Sequence, residues 1–240
     1  MIECISVDRR VLSPWVIFKG KKQQHNWFDN FSEGHICMSD RGWTDDELCV
    51  EWLKYCFELE TAETQKGKYR MLLFDGHGSH ITQEVRLFCE EKKIILLCLP
   101  NHSTHILQPL DISIFSPFTT AYRAGVKKRT KWGAGGKVNK ILFLEVLQQA
   151  QNEAINSKNI QSSWAKTGLF PFDLKVVIQA LLSVQLAKSK AILQAPKPTQ
   201  SLSELPSQIS NRLHTRGEPI KPVAKTPENL VVATFAAKTP

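Results

Sequence analysis

The most constraining stretch of this chain is residues 69–115, YRMLLFDGHGSHITQEVRLFCEEKKIILLCLPNHSTHILQPLDISIF. An apolar run at 70–74 ends in an acid, Asp75, and in the chain-breaking sequence Gly76-His77-Gly78. From about 82 to 92 the spacing predicts an amphipathic helix, with Val85, Phe88 and Cys89 on one side. A second run at 94–99 is apolar without alternation, the pattern of a strand buried on both faces. Pro100 ends it, and a loop rich in His and Pro delivers a second acid, Asp111. Two apolar strands joined by a helix predict an α/β core. An acid at the end of such a strand stands where α/β sheets carry functional groups.

The rest of the chain fits around that core. Residues 2–7 and 11–18 are β-rich runs separated by Asp8-Arg9-Arg10, which predicts an antiparallel hairpin, with Pro14 marking an edge or a bulge. Residues 35–39 suit a short third strand. Thr44-Asp45-Asp46-Glu47 reads as a capping box with further acids in the first turn. The helix it starts carries Leu48, Trp52, Tyr55, Cys56 and Leu59 on its apolar face, to about residue 60. After Asp111 the pattern is helical again, with Phe115, Phe118 and Tyr122 at spacings of three and four. Further helices are predicted at about 140–156, 160–167 and 176–190. From 191 onward Pro, Ser, Thr, Gln and Lys dominate, which predicts a disordered tail at 191–240 behind a folded domain at 1–190.

Composition limits the function classes. In 240 residues no apolar run approaches the roughly 18 needed to span a membrane, and the first residues do not have the pattern of a signal peptide. A net charge of +8 makes polyanions plausible partners. Six widely spaced cysteines among apolar residues read as buried, reduced thiols.

Several groups compete for a chemical role. Asp75 and Asp111 each have an ordinary reading, as a turn or helix-start acid. As a pair they suit a hard divalent cation, which takes carboxylate oxygens from separate elements. His77, His80, His102 and His105 could orient those acids or touch phosphate, or be polar turn residues. Cys89, Cys98, His102 and His105 lack the close cysteine pairing of structural zinc sites. Residues 123–140 hold seven Lys and Arg and no acid. Lys127, Lys128, Arg129 and Lys131 are therefore candidate phosphate-backbone contacts, or else a solvated loop. In the basic loop at 19–34, Trp27 and Phe28 read as core more than as base-stacking groups. Gly133-Ala134-Gly135-Gly136 lacks the following Lys-Ser/Thr of a phosphate-binding loop.

The motifs LLFDGHGSHIT and LLCLPNHSTHILQPLDISIF resemble the DDE superfamily endonuclease domain of pogo-like (Tigger/jerky-type) transposases. ECISVDRRVLSPWVIFKGK, GWTDDELCVEWL and NIQSSWAKTGLFPFD are similar to the same family, so the resemblance covers roughly residues 1–190. It implies an α/β, ribonuclease-H-like mixed sheet flanked by helices, with three antiparallel strands leading and two parallel strands following. It also implies three acids holding two Mg²⁺ or Mn²⁺ ions that cleave and rejoin DNA phosphodiesters, DNA as partner, and a nuclear location. By position Asp75 matches the second acid and Asp111 the third, with 35 residues between them (111 − 75 − 1). The family's first acid lies on a strand that precedes residue 2, and Asp8, in the hairpin turn, is a poor substitute. Asn101 stands where the family usually has Pro. The resemblance therefore implies a domain that lacks the first core strand, as in an N-terminally truncated copy, and is catalytically incomplete alone. A homodimer or a full-length transposase would supply the remainder. The alternative is a non-catalytic DNA-binding or protein-interaction module. An unrelated metal-dependent hydrolase is disfavoured, because no third acid or histidine cluster is placed to complete its site.

Overall fold

Along the computed structural model, the described residues are 1–29, 31, 34–74, 81–130, 138–194 and 230–235. Six strands form one mixed sheet: β1 (Ile2–Ser6), β2 (Trp15–Lys19), β3 (His35–Ser39), β4 (Arg70–Phe74), β5 (Ile94–Cys98) and β6 (Leu230–Phe235). Their order is β3-β2-β1-β6-β4-β5. The hairpin expected at 2–18 is present. It is held by Ile2 opposite Trp15 and by a bridge from Ile5 to Val11. Pro14 lies just outside β2, where its missing N–H costs no ladder bond.

The centre of the sheet differs from the sequence expectation. Leu230–Phe235 lies in the segment expected to be disordered, yet it runs between β1 and β4 as β6. It pairs antiparallel with β1, from Ile2 opposite Phe235 to Ser6 opposite Val231. Its other edge pairs parallel with β4, from Met71 opposite Leu230 to Leu73 opposite Val232. A segment distant in sequence from β1 and β4 thus fills the centre of the sheet. The residues explain it: LVVATF is β-branched and aromatic with no charge, a local signal that averaging over a Pro- and Lys-rich tail conceals. β1 is antiparallel to both of its neighbours, β6 and β2, while β4 and β5 run parallel. The outer strand β3 pairs parallel with β2.

Helices cover both faces. On one lie α1 (Asp46–Trp52), a π-helical turn (Leu53–Glu58), α2 (Leu59–Thr61) and α3 (Gln83–Glu91). Their buried residues Trp52, Leu53, Cys56, Phe57, Val85 and Cys89 pack with Ile2, Cys4, Leu72 and Phe74. Asp45, one residue later than the expected cap, accepts the Leu48 N–H at 2.9 Å and starts α1. Tyr55 and Leu59, expected on the apolar face, are exposed. The buried stripe passes through Leu53, Cys56 and Phe57 instead, within the widened π-helical turn.

At the start of β4, Arg70 is buried and donates to Glu58 at 2.5 Å, Thr61 at 2.8 Å and the Lys92 carbonyl at 3.1 Å. It ties that helical run to the end of α3. The other face carries α4 (Thr104–Leu107), a second π-helical turn (Leu110–Ile114), α5 (Phe115–Thr130), α6 (Lys140–Ala154), α7 (Ser157–Thr167) and α8 (Leu174–Gln194). The run at 94–99 is not buried on both faces: β5 ends the sheet, and Ile95 and Leu97 are 45% and 43% exposed. A strand with a neighbour on one side only escapes the double cover that its composition suggested.

Gly168 stops α7 in the left-handed region at φ +66°, and a Cβ there would lie 2.5 Å from the Asp173 carbonyl oxygen. Gly168→Ala is expected to lower stability by more than about 1 kcal/mol, read as a drop in the thermal midpoint. The control is Gly67→Ala, whose Cβ would approach only the Tyr69 carbonyl at 3.9 Å, with an expected effect within about 0.5 kcal/mol.

Candidate functional site

The parallel pair β4 and β5 ends on one side of the sheet, and the site residues follow from those two ends. The Leu99 N–H donates to the Phe74 carbonyl at 3.0 Å, which fastens the exit of β5 to the exit of β4. Asp75, the residue after Phe74 in the chain, lies outside the described residues, as do His77, His80 and Lys131. From Leu99 the chain turns through Pro100 and Ser103 into α4 and then into the π-helical turn that carries Asp111.

Asp111 is held by its neighbours in sequence. Leu110 and Ile114 are fully buried and belong to one core cluster with Leu73 of β4, Leu99, Ile160 and Trp164. Asp111 itself is half-buried, in the first turn of that helical stretch. There a carboxylate is favoured by the N–H groups at the helix start. Single π-helical turns often mark functional positions. Lys166 of α7 donates to Ser113 at 3.1 Å, adding a cation near this turn. The structure therefore anchors Asp111 to the strand whose next residue is Asp75.

His105 is exposed on α4, and His102 is exposed in the preceding turn with φ +61°. Cys89 is buried on α3 whereas Cys98 is exposed on β5. Among the described residues no group of three or more His, Cys, Asp or Glu is placed to hold a metal ion. The four cysteines 4, 49, 56 and 89 are buried free thiols, as composition implied. Cys37 is half-buried and Cys98 departs from that reading. Burial pushes the Cys49 and Cys89 thiols up to about 12.

Asp8 has a local task. It pairs with Arg10 at 2.8 Å and accepts from the Ser6 hydroxyl. Partial burial works to raise its pKa, but Ser6 and Arg10 outweigh that and hold the carboxyl below its ordinary value. It closes the hairpin turn. Trp27 is buried beside Phe18, as expected for core, while Phe28 is exposed. Lys140 lies over the Trp27 ring at 4.2 Å and over Phe18 at 4.8 Å. Lys127, Lys128 and Arg129 form the last turn of α5, where cations also complement the helix C-terminus.

Sequence reasoning passed over Glu3. It sits in the middle of β1, 1% exposed, and accepts from Gln151 of α6 at 2.9 Å, while its second oxygen has no hydrogen-bond partner. Burial pushes its carboxyl up to about 8, against the smaller opposing effect of Gln151. A Glu inside the apolar run IECIS was the available signal.

The profile of the DDE superfamily endonuclease family matches residues 1–164. The chain belongs to that family. This DDE domain is 35% identical over 226 residues, 91% of its length, to a Cochliobolus lunatus protein named as an MFS-type transporter, and covers 24% of that protein. Among the described residues no helix is long and apolar enough to cross a membrane. It is also 26% identical over 170 residues, 68% of its length, to the pogo transposable element with KRAB domain of Homo sapiens. The match to the Mus musculus counterpart has the same extent, and each covers 27% of the relative. The domain thus spans about a quarter of the length of these relatives. No solved structure gives a significant match.

Because burial pushes the Glu3 carboxyl up to about 8 in the folded state, while an unfolded Glu ionises near 4.3, the stability that Glu3 contributes is fully present below about pH 4 and is lost as pH rises toward 8. Glu3→Gln is expected to abolish that decline. At pH 8 it should be more stable than the parent by on the order of 3 to 5 kcal/mol, measured by denaturant unfolding across pH.

Proposed function

We propose that this domain is a transposase-derived, ribonuclease-H-like DDE fold that binds DNA and does not cut it by itself. The observation that carries this reading is the anchoring of Asp111 to β4, together with a central strand, LVVATF, that contains no acid. In the family the first acid belongs to a core strand next to the one formed here by β1, and β6 brings a backbone to that position without a carboxylate.

Asp75 and Asp111 are the residues that would hold Mg²⁺ or Mn²⁺, as hard oxygen donors on elements joined at the β4 exit. One half-buried carboxylate among the described residues does not form a metal site by its own donors, so no catalytic step is assigned. A bound ion pair would supply activation of water or a 3′-hydroxyl and stabilisation of the leaving oxygen. Asp8, in its hairpin ion pair, does not take the place of the first acid. Lys127, Lys128 and Arg129 contact phosphates, with Lys131 continuing that basic run along the sequence. A homodimer or a full-length transposase completes the assembly, in the nucleus.

Supercoiled plasmid incubated with the domain and Mn²⁺ is expected to remain unnicked. Nicking that disappears in Asp75→Ala or Asp111→Ala would overturn the non-cleaving reading. Replacing Lys127, Lys128 and Arg129 together by Ala is expected to weaken duplex binding. It should also reduce the steepness of log K against log salt by about 2 to 3. Binding with an unchanged salt slope would remove α5 from the DNA contact. Retention of DNA binding in the Asp75→Ala and Asp111→Ala variants favours a non-catalytic binding module.

A further inference from the structure

The middle of the sheet is built in an unusual order. β1 and β4 do not pair with each other; every ladder bond across the centre runs through β6, which lies between them. On β1 the facing residues Ile2, Cys4 and Ile5 are all buried, as are Leu72 and Leu73 on β4. Without an inserted strand, two rows of backbone N–H and C=O groups would face each other unpaired inside the core, which folded proteins do not tolerate. The slot therefore requires an extended segment, antiparallel to β1 and parallel to β4. The segment that occupies it is separated from α8 by residues 195–229, which is 35 residues (229 − 195 + 1). At up to roughly 3.6 Å per residue this connection reaches at most about 126 Å. No covalent constraint of length therefore ties β6 to the slot.

We propose that the space between β1 and β4 is a strand-binding site, and that Leu230–Phe235 is a detachable ligand for it carried on the same chain. The site takes an uncharged peptide of β-branched and aromatic residues, recognised through main-chain hydrogen bonds on both edges, the mode of donor-strand complementation. An exchangeable strand in this slot is independent of whether the domain binds or cuts DNA.

The register supplies the test. Ala233 lies directly opposite Cys4, and Val232 opposite Ile5. Cβ atoms of directly opposed residues in an antiparallel pair are about 4.5–5.5 Å apart, close to disulfide reach. The full-length Ala233→Cys protein, treated with a mild thiol oxidant, is expected to form a disulfide between Cys4 and the introduced thiol within one chain. The link is identified by peptide mass mapping of the monomer band on a non-reducing gel. The Val232→Cys protein is expected to give at least tenfold less linkage to Cys4. Equal linkage in the two variants, or none in the first, would overturn the register and the site. Linkage found only in dimers would overturn the intramolecular ligand, by assigning the strand to a second copy.

Exchange is read separately. In full-length Val232→Pro, the proline removes a ladder donor from β6. With the same thiol oxidant present, a synthetic peptide of residues 228–237 with Ala233→Cys is expected to form a disulfide with Cys4 at least tenfold more in that variant than in the parent. Equal capture in both would show that β6 is a fixed part of the sheet rather than a ligand.

Discussion

The backbone ladder through β6 is the interaction on which the rest of the domain depends. It joins the antiparallel half of the sheet, β2 and β1, to the parallel half, β4 and β5. One helical layer spans both halves, with Ile2 and Cys4 of β1 and Leu72 and Phe74 of β4 in one cluster; on the other face α6 reaches β1 through the Gln151–Glu3 bond, and the turn bearing Asp111 packs with Leu73 of β4. Hydrogen bonds of the ladder contribute modestly one at a time, but leaving a buried row of donors and acceptors unpaired is costly. Side-chain packing already joins the two halves, and β6 completes the backbone pairing between them.

Electrostatics divides the acids by the same geometry. Asp8, at a hairpin turn with Arg10 beside it, stays ionised and structural. Asp111 keeps partial access to solvent because it sits at a helix start next to the strand exits, with its apolar neighbours taking the burial. Glu3 is turned inward from the middle of β1 and is driven toward its neutral form by burial. The chain belongs to the DDE superfamily endonuclease family, and the strand at the centre of its sheet, β6, carries no acid.

Much of the fold was legible in the residues. The elements of 69–115 were readable because apolar runs, a helical stripe and Pro100 punctuate them, and the structure has β4, α3 and β5 in those places. The exposure of Ile95 and Leu97 was not readable, because composition cannot tell an edge strand from a central one of equal apolarity. Tyr55 and Leu59 fell on the wrong side because a π-helical turn changes the phase that a regular period assumes. Glu3 was hidden by its surroundings, since a single acid in an apolar run gives no hint of a partner 148 residues away.

By itself the sequence determined most of the local elements and the family motifs, because each is written in short-range spacing and residue type. What only the tertiary structure decided is which strand completes the centre of the sheet. LVVATF has the composition of a strand, but composition carries no address. The address comes from the unpaired edges of β1 and β4, which lie together only once residues 2–6 and 70–74 have been brought to the same core.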